Sequence, residues 1–403
     1  MKRFLAAHKV LNQILKDNVS FSLAMRNEFN NEKNKVINRH DVATLVGCAL
    51  RHHLIFAKRI NDQYKDLTTE QFSYFSIALA NHLFTKVEDE KKVNKEFTRL
   101  SGINDFADFI TSINSEDLIP EEIKKDDIEY LSYRYNTPSW LVRMWKKHYD
   151  DDISLRLLKA NSKPMDKFYM AKDQYDFSTG FEASKIPGIY KKEKGSNRDT
   201  KDLLIANPAY KYAIDQMYID PLRGLLIYSE VTSPIFNHLY QYLSKFSKAD
   251  YIAGTPSAFF EGKHVLKELG LSSVNIYECP SSAILTVASK PVHTFIVLPN
   301  NSRYSLLREK PEYFLNIKQE DLDSFIENEK NTLQNAAPFV EEGGQLLYII
   351  DTISRKESYG VIRDFLNKNK EFTLLDQKQF LPCNSLGCST YFAILVKKGE
   401  NHD

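Results

Sequence analysis

The second half of the chain carries the pattern that most restricts its fold, because from about residue 205 short apolar runs alternate with stretches of helical periodicity. The apolar runs, each of strand length, are Leu225–Ser229, Tyr251–Gly254, Val274–Tyr277, Thr294–Leu298, Gln345–Asp351, Phe372–Leu375 and Tyr391–Val396. The helical stretches are Ile235–Leu243, Lys263–Leu269, Gln319–Ala337 and Ser354–Leu366. This alternation predicts an α/β fold with a parallel sheet covered on both faces. Only a loop joins the last two runs, which predicts an antiparallel pair at one edge.

The first 125 residues predict a small helical bundle. Their apolar residues recur at the i, i+3, i+4 spacing of amphipathic helices. Proline is absent before Pro120, and Gly47 and Gly102 are the only glycines in this stretch, so nothing forces strands or tight turns. The apolar positions are Phe4, Leu5, Ala7, Val10, Leu11 and Leu15, then Val42, Leu45, Val46, Ala49 and Leu50.

Residues 126–204 differ in composition from both neighbours. They hold both tryptophans, Trp140 and Trp145, at helical spacing after Pro138. Asn136 or Thr137 could cap that helix, and we interpret the tryptophans as its buried face. A basic stretch follows, in which a phosphate backbone could be held, although a solvated surface is the alternative. Its candidate RNA-binding residues are Lys159, Lys163, Lys167, Lys172, Lys191, Lys192, Lys194 and Arg198.

Composition limits the possible functions. Lys and Arg number 54 against 53 Asp and Glu, so a net charge of +1 gives no overall attraction to nucleic acid or membrane. The four cysteines, Cys48, Cys279, Cys383 and Cys388, are too few and too scattered for a disulfide framework or a zinc site. The longest apolar runs are far below the roughly 18 residues of a membrane span. We therefore expect a soluble, cytoplasmic protein without bound metal.

Three segments carry a resemblance to one family. Residues 131–145 read LSYRYNTPSWLVRMW, residues 296–312 read IVLPNNSRYSLLREKPE, and residues 343–352 read GGQLLYIIDT. In order and spacing they resemble motifs of the bacterial Sun/RsmB family of rRNA 5-methylcytosine methyltransferases. The resemblance implies a NusB-like all-α bundle over 1–125, a small α/β RNA-docking subdomain over 126–204 and a class I methyltransferase-like Rossmann domain over 205–403.

The chain departs from the family at the residues that would carry the reaction. The resemblance places Asp351 at the nucleophilic cysteine, Asn301 at the second cysteine and Leu298 at a neighbouring aspartate. Methylation of cytosine C5 requires a thiolate that adds to C6 and a base that releases the product. A carboxylate is a poor substitute for a soft thiolate, so we predict degenerate catalytic positions and no catalytic residues of the family type.

The cofactor positions depart as well. Ile227 stands at the aspartate of the family's first motif, and Ser233 and Pro234 stand at its glycine pair, which in such folds lets S-adenosylmethionine approach the backbone. Ser233 and Pro234 suit the N-cap and first residue of a helix instead. Glu278, after the third strand, is the remaining candidate carboxylate. On these grounds we expect no cofactor.

The leading hypothesis is a catalytically inactive, RNA-binding homologue of an rRNA cytosine-C5 methyltransferase that acts on rRNA or in ribosome assembly. A second hypothesis is an active S-adenosylmethionine-dependent RNA methyltransferase. The third is a protein-interaction module, in which the NusB-like region binds ribosomal or transcription proteins. Binding of S-adenosylmethionine would separate the first two, and an interaction that survives nuclease would favour the third. None of the three involves a membrane.

Overall fold

The computed structural model describes residues 1–30, 36–163, 165–246, 249–288 and 290–399 of the chain. The chain forms two compact units, Met1–Pro164 with Leu306–Ile317 and Met165–Ser305 with Lys318–Asp403. Each unit therefore combines segments that lie far apart in the sequence. The division into 1–125, 126–204 and 205–403 stays a prediction, and residues 126–204 supply helices to the first unit and strands to the second.

The first unit is helical over its described residues, as the periodicity predicts. Side-chain caps begin several of its helices: Thr68 and Gln71 form a capping box, and Asp150 accepts from the Ile153 amide. The helices are α1 (Lys2–Asp17), α2 (Phe21–Phe29), α3 (Arg39–Arg51), α4 (His53–Gln63), α5 (Thr69–Ala80), α6 (Glu90–Ser101), α7 (Phe106–Ser112), α8 (Ile128–Tyr135), α9 (Ser139–His148), α10 (Asp151–Asn161) and, from later in the chain, α14 (Leu306–Glu309).

The core of this unit forms around α5, which is buried from Ser73 to Ala80 and packs against α1, α3 and α6. The predicted apolar positions of α1 and α3 are buried with it, including Phe4 and Leu45, each 0% exposed. A helix that is apolar on all sides needs neighbours on all sides. The surrounding amphipathic helices supply them, and the bundle follows from the sequence pattern.

The predicted cap of α9 is wrong. Asn136 ends α8 in a left-handed conformation with φ 47°, and Pro138 occupies the N-cap of α9 without a side-chain cap. Asparagine tolerates this conformation better than most residues. Its amide also bridges to α3 and α4, because it accepts from the Leu54 amide and donates to the Leu50 carbonyl, each at 2.9 Å. Because these tertiary hydrogen bonds occupy the Asn136 side chain, it does not cap α9.

The second unit contains a small antiparallel sheet and a large mixed sheet. The small sheet has the order β2-β3-β1-β4 and consists of β1 (Phe168–Ala171), β2 (Phe181–Ala183), β3 (Tyr190–Lys192) and β4 (Leu203–Ala206). The strands of the large sheet are β5 (Leu225–Ser229), β6 (Ala249–Ala253), β7 (Val274–Glu278), β8 (Val292–Leu298), β9 (Val340–Ile350), β10 (Phe372–Gln379) and β11 (Tyr391–Lys397).

The large sheet has the order β10-β11-β9-β8-β5-β6-β7. The five neighbouring strands β9, β8, β5, β6 and β7 pair in parallel. Strand β11 pairs antiparallel with both β9 and β10. This confirms the predicted Rossmann-like α/β fold with an antiparallel edge. The helices of this unit are α11 (Pro208–Asp215), α12 (Ile235–Leu243), α13 (Pro256–Leu269), α15 (Asp321–Ala336) and α16 (Val361–Lys368).

Helices cover both faces of the large sheet. Along β5, Leu225 and Ile227 join the core with α11, α12 and α13, while Leu226 and Tyr228 join the core with α15 and α16. Successive strand residues point to opposite faces, and a strand buried on both faces reads as a continuous apolar run. Across the described ranges, no helix is both long and apolar enough to cross a membrane.

Candidate functional site

The connections of the large sheet reverse direction between β5 and β8. The chain runs outward from β5 through β6 to β7, then returns to β8 on the other side of β5 and continues to β9. In open α/β sheets, ligands bind at such a switch point, outside the carboxyl ends of the strands. Here the two strand ends meet where the Glu230 amide donates to the Leu298 carbonyl at 2.9 Å. The loops after β5 and β8 therefore form the candidate site.

The loop after β8 holds Asn301 in a structural role. Asn301 is 2% exposed, its Nδ2 donates to the Pro299 carbonyl at 3.0 Å, and its Oδ1 accepts from the Arg303 amide at 2.9 Å. Both ends of the side chain are thus used within the loop. An amide fixed in this way offers neither a nucleophile nor a base.

Arg303 gives this loop its unusual backbone. Its φ is 47°, in the left-handed region that favours glycine. The Arg303 Nη2 atom donates to the Thr232 carbonyl at 3.3 Å, so the guanidinium joins the loops that follow β8 and β5. Backbone strain of this kind, roughly 1–3 kcal/mol, concentrates at functional positions. No sequence pattern singled out Arg303 as a functional residue.

Asp351 follows β9 at the same edge of the sheet. Its Oδ2 accepts from the Tyr210 hydroxyl at 2.9 Å and its Oδ1 accepts from the Thr390 hydroxyl at 2.8 Å. Desolvation raises the pKa of Asp351, while the charge of Arg303 and the two hydroxyl donors oppose that rise. The carboxylate is thus an anchored hydrogen-bond acceptor that joins α11, β9 and the segment before β11. The sequence analysis assigned no role to Tyr210 or Thr390.

Glu230, at the end of β5, is a further residue that the sequence analysis missed. Its Oε1 accepts from the Tyr228 hydroxyl at 2.8 Å, and its Oε2 accepts from the Asn300 amide at 2.7 Å and from Asn328 Nδ2 at 2.6 Å. A Cβ atom on Gly254 would come within 2.3 Å of the Tyr228 hydroxyl, so glycine is required where β6 ends. These contacts hold the Glu230 side chain in place and connect the ends of β5 and β8 with α15.

The predicted cofactor positions lie in different surroundings. Ile227 is 0% exposed and belongs to the core of the α11–α13 layer, so it faces no ligand. Helix α12 begins at Ile235 with Pro234 at the N-cap, one residue later than predicted, and Ser233 Oγ accepts from the Ile235 amide at 3.3 Å. Glu278 is the last residue of β7 and is exposed. The Ser233–Pro234 turn is thus held by a hydrogen bond of its own. Of the predicted cofactor positions, Glu278 is the one that carries an exposed carboxylate.

A buried polar cluster lies behind the loop after β8. Glu357 is 0% exposed; its Oε1 accepts from the Ser302 amide at 2.7 Å, and its Oε2 lies within hydrogen-bond distance of the hydroxyls of Ser302 and Thr352. Glu329 of α15 is also 0% exposed. Burial, and next the neighbouring Glu357, raise the pKa of Glu329 well above its usual range.

Cys48 and Cys279 do not supply the missing thiolate chemistry. Burial raises the pKa of Cys48 to about 12, and burial also raises the pKa of Cys279, which follows β7. Both groups are therefore thiols near neutral pH. Within the described ranges, no group of three or more His, Cys, Asp or Glu side chains could hold a metal ion.

The candidate RNA-binding residues fall in both units. Lys159 and Lys163 are exposed in the first unit. In the second, Lys167, Lys172, Lys191, Lys192, Lys194 and Arg198 lie in or beside the small sheet.

Several of the second group have internal partners. Lys191 pairs with Asp166 at 3.0 Å, Lys192 Nζ donates to the Arg198 carbonyl at 2.6 Å, and Arg198 donates to the Asp176 carbonyl at 2.8 Å. The exposed ion pair between Lys191 and Asp166 contributes little to stability. The assignment of these residues to RNA binding stays a prediction.

No protein-family model and no curated protein matches the sequence. Solved structures match the fold. The crystal structure of PH0851 aligns with a TM-score of 0.78 over 98% of this chain and 99% of that chain, at 15% identity. A methyltransferase homologue from Pyrococcus horikoshii aligns with a TM-score of 0.55 over 66% of this chain and 97% of its own, at 12% identity.

NSun6 from Pyrococcus horikoshii, in a structure with SFG, aligns with a TM-score of 0.55 over 66% of this chain and 99% of its own, at 10% identity. The expectation that the chain binds no cofactor is thereby wrong, because a protein with this fold carries SFG. The expectation relied on the first-motif residues and on the scarcity of carboxylates at the strand ends, whereas the sheet as a whole has the order of a Rossmann-like fold with a switch point between β5 and β8. In fold, the chain is similar to methyltransferase-type proteins, as the motif resemblance implies.

Proposed function

We propose that this chain is an RNA-binding protein with a methyltransferase fold, that it binds an S-adenosylmethionine-type cofactor, and that it lacks the thiolate chemistry of cytosine-C5 methylation. Its RNA is rRNA or a ribosome-assembly intermediate. One observation carries the proposal: Asp351, held by Tyr210 and Thr390, stands where the resemblance places the nucleophilic cysteine.

The chemistry of Asp351 supports the absence of the family reaction. C5 methylation needs a soft, polarisable thiolate that adds to C6 of the base, after which C5 attacks the methyl donor. Both carboxylate oxygens of Asp351 already accept hydrogen bonds, and desolvation raises the pKa of this group, which reduces its anionic fraction. The second cysteine is replaced by Asn301, whose amide is fixed in its loop. Neither position can form or release the covalent intermediate.

The carboxyl edge of the sheet retains a group suited to the cofactor. Glu278 ends β7 beside the end of β6, where Ala253 and Glu278 are register partners. An exposed carboxylate at this edge can accept hydrogen bonds from ribose hydroxyls or an amino group. Glu278 would hold the nucleoside part, and the bound cofactor would supply an electrophilic methyl group.

We expect S-adenosylmethionine to bind the purified full chain in titration calorimetry. Glu278→Gln should weaken that binding about tenfold or more, because a hydrogen bond to a charged group contributes roughly 1.5–3 kcal/mol. The matched control is Glu268→Gln, which alters an exposed carboxylate on α13. Equal affinity of the Glu278 and Glu268 variants would remove Glu278 from the site, and absence of binding by the unmodified chain would contradict the cofactor part of the proposal.

The RNA part of the proposal is tested by salt dependence. Each phosphate contact of a single strand contributes about −0.7 to the slope of log RNA affinity against log salt concentration. Replacing Lys191, Lys192 and Lys194 by Ala should therefore make this slope less negative by roughly two units. The control variant replaces Lys91, Lys92 and Lys95 by Ala, three exposed lysines of α6, and removes the same charge. Equal slopes for the two triple variants would place the RNA contact elsewhere.

A further inference from the structure

The first unit contains a cavity of about 520 Å³ that the proposed function does not use. Its walls are the start of α4, the π-helical turn Asn81–Thr85, helix α8 and the irregular segment 115–125. Ligand pockets typically measure about 300–1,000 Å³, so the cavity has the size of a small-molecule site. The aromatic residues that line it are His52, Phe84, Tyr130 and Tyr133.

Two of these rings form a stacked pair. The ring centroids of His52 and Phe84 are 4.1 Å apart with an interplanar angle of 15°. The Nδ1 atom of His52 lies 3.0 Å from the Cys48 carbonyl, which fixes Nδ1 as the protonated nitrogen. Phe84 is 41% exposed although it is a large apolar side chain. The pair is thus an orientated aromatic surface on which a further flat ring can stack.

The charges around the cavity are balanced. Lys124, Lys125 and Arg134 line it, but so do Glu116, Asp117 and Glu121, and all six residues are exposed. Burial, and to a lesser degree Arg134 and Arg51, lower the pKa of His52, so this ring is neutral near pH 7. Three carboxylates disfavour a polyanion inside the cavity. They suit a neutral ring with amino groups, and the three cations suit phosphates on either side of it.

We propose that this cavity binds one unpaired nucleobase of the RNA, stacked on Phe84. The proposal rests on the RNA-binding function proposed above and adds a second contact, separate from the lysines of the small sheet. Unpaired bases of RNA are recognised by stacking on aromatic side chains and by hydrogen bonds to their edges. The carboxylates accept from exocyclic amino groups, and Arg134 with the two lysines pairs with the flanking phosphates.

The test measures binding of a short single-stranded RNA that carries 2-aminopurine at successive positions. The unmodified chain should quench the 2-aminopurine fluorescence at one position, as stacking does. Phe84→Ala should abolish that quenching and weaken binding about 5- to 150-fold, whereas Phe84→Tyr, which keeps the ring, should retain both properties. Phe260→Ala removes a ring that is 69% exposed on α13 and should change neither. Melting temperatures report that each variant is folded.

The outcomes separate this inference from the function on which it rests. If the unmodified chain binds RNA with normal salt dependence and Phe84→Ala binds equally well, the cavity assignment is overturned and the RNA-binding function stands. The cavity assignment is likewise overturned if Phe84→Ala loses a protein partner but not RNA. If the unmodified chain binds no RNA at any salt concentration, the proposed function fails and the cavity assignment fails with it.

Discussion

Glu329→Gln should stabilise the protein at neutral and alkaline pH and reduce the pH dependence of its unfolding. Glu329 is 0% exposed on α15 and lies beside the buried Glu357, to which only its protonated form can donate a hydrogen bond. An isolated charge at such a position is very costly, so the native protein keeps Glu329 protonated. Glutamine has nearly the same shape and has no proton to lose.

The pH window follows from the direction of the shift. The pKa of Glu329 is raised in the native state, whereas the unfolded chain releases this proton above about pH 4.3. Between these two pKa values the native state binds more protons than the unfolded state, so the stability falls as the pH rises. The loss is about 1.4 kcal/mol for each pH unit of that window. Below the unfolded pKa the contribution is constant.

Urea unfolding of the full chain over a range of pH measures this effect. The free energy of unfolding of the unmodified protein should fall with rising pH relative to Glu329→Gln. Glu327→Gln, on the exposed face of the same helix, is the matched control and should follow the unmodified protein. If the free energy of unfolding of Glu329→Gln depends on pH in the same way as that of the unmodified protein, Glu329 is not the buried acid responsible for this pH dependence.

Trp145→Ala should lower the free energy of unfolding by about 3–5 kcal/mol. Trp145 is 0% exposed on α9, which packs between α8 and α10, and the Ser154 hydroxyl donates to the Trp145 carbonyl at 3.1 Å. The substitution removes the largest fully buried side chain and leaves a cavity. The aromatic residue therefore supports the helical scaffold instead of contacting RNA.

Two further variants sharpen this result. The indole Nε1 of Trp145 is buried without a hydrogen-bond partner among the described residues, so Trp145→Phe removes an unpaired donor and should cost much less than alanine. Trp140→Ala changes a half-buried residue of the same helix and should also cost less. Circular dichroism during urea unfolding checks the order. Equal losses for Trp140→Ala and Trp145→Ala would contradict the packing role assigned to Trp145.

The large sheet was predictable because its pattern is local. Most of its strands are apolar runs, and helices follow β5, β6, β8 and β9. The order of the strands, which brings the ends of β5 and β8 together, is a finding of the structure. The segment 306–317 was not predictable in this way. It packs with the helices of the first unit, where Glu312 accepts from the Phe21 amide at 3.0 Å across 291 positions of sequence. Hydrophobic periodicity describes one element of the chain, so it does not predict a contact between segments this far apart in the sequence.

The site residues Asp351 and Asn301 stay predictions, and the side chains that hold them left no signal in the sequence. Asp351 and Asn301 lie at the carboxyl edge, whereas the groups that hold them, Tyr210, Thr390 and Arg303, come from three different segments. Glu329 did leave a local signal, because it interrupts the apolar stripe formed by Leu322, Ile326 and Leu333. A lone acid on such a stripe is either exposed by a local distortion or buried with a raised pKa, and the sequence does not decide between the two.

Nucleoside mass spectrometry of RNA distinguishes a chain that lacks the C5-methylation reaction from an active methyltransferase. The purified chain is incubated with S-adenosylmethionine and an RNA that it binds, and the RNA is then digested to nucleosides. We expect no 5-methylcytosine above the level of the protein-free control, because Asp351 and Asn301 supply no thiolate. Formation of 5-methylcytosine by the unmodified chain would show that it carries out the family reaction, and loss of that product in Asp351→Asn would assign the reaction to Asp351.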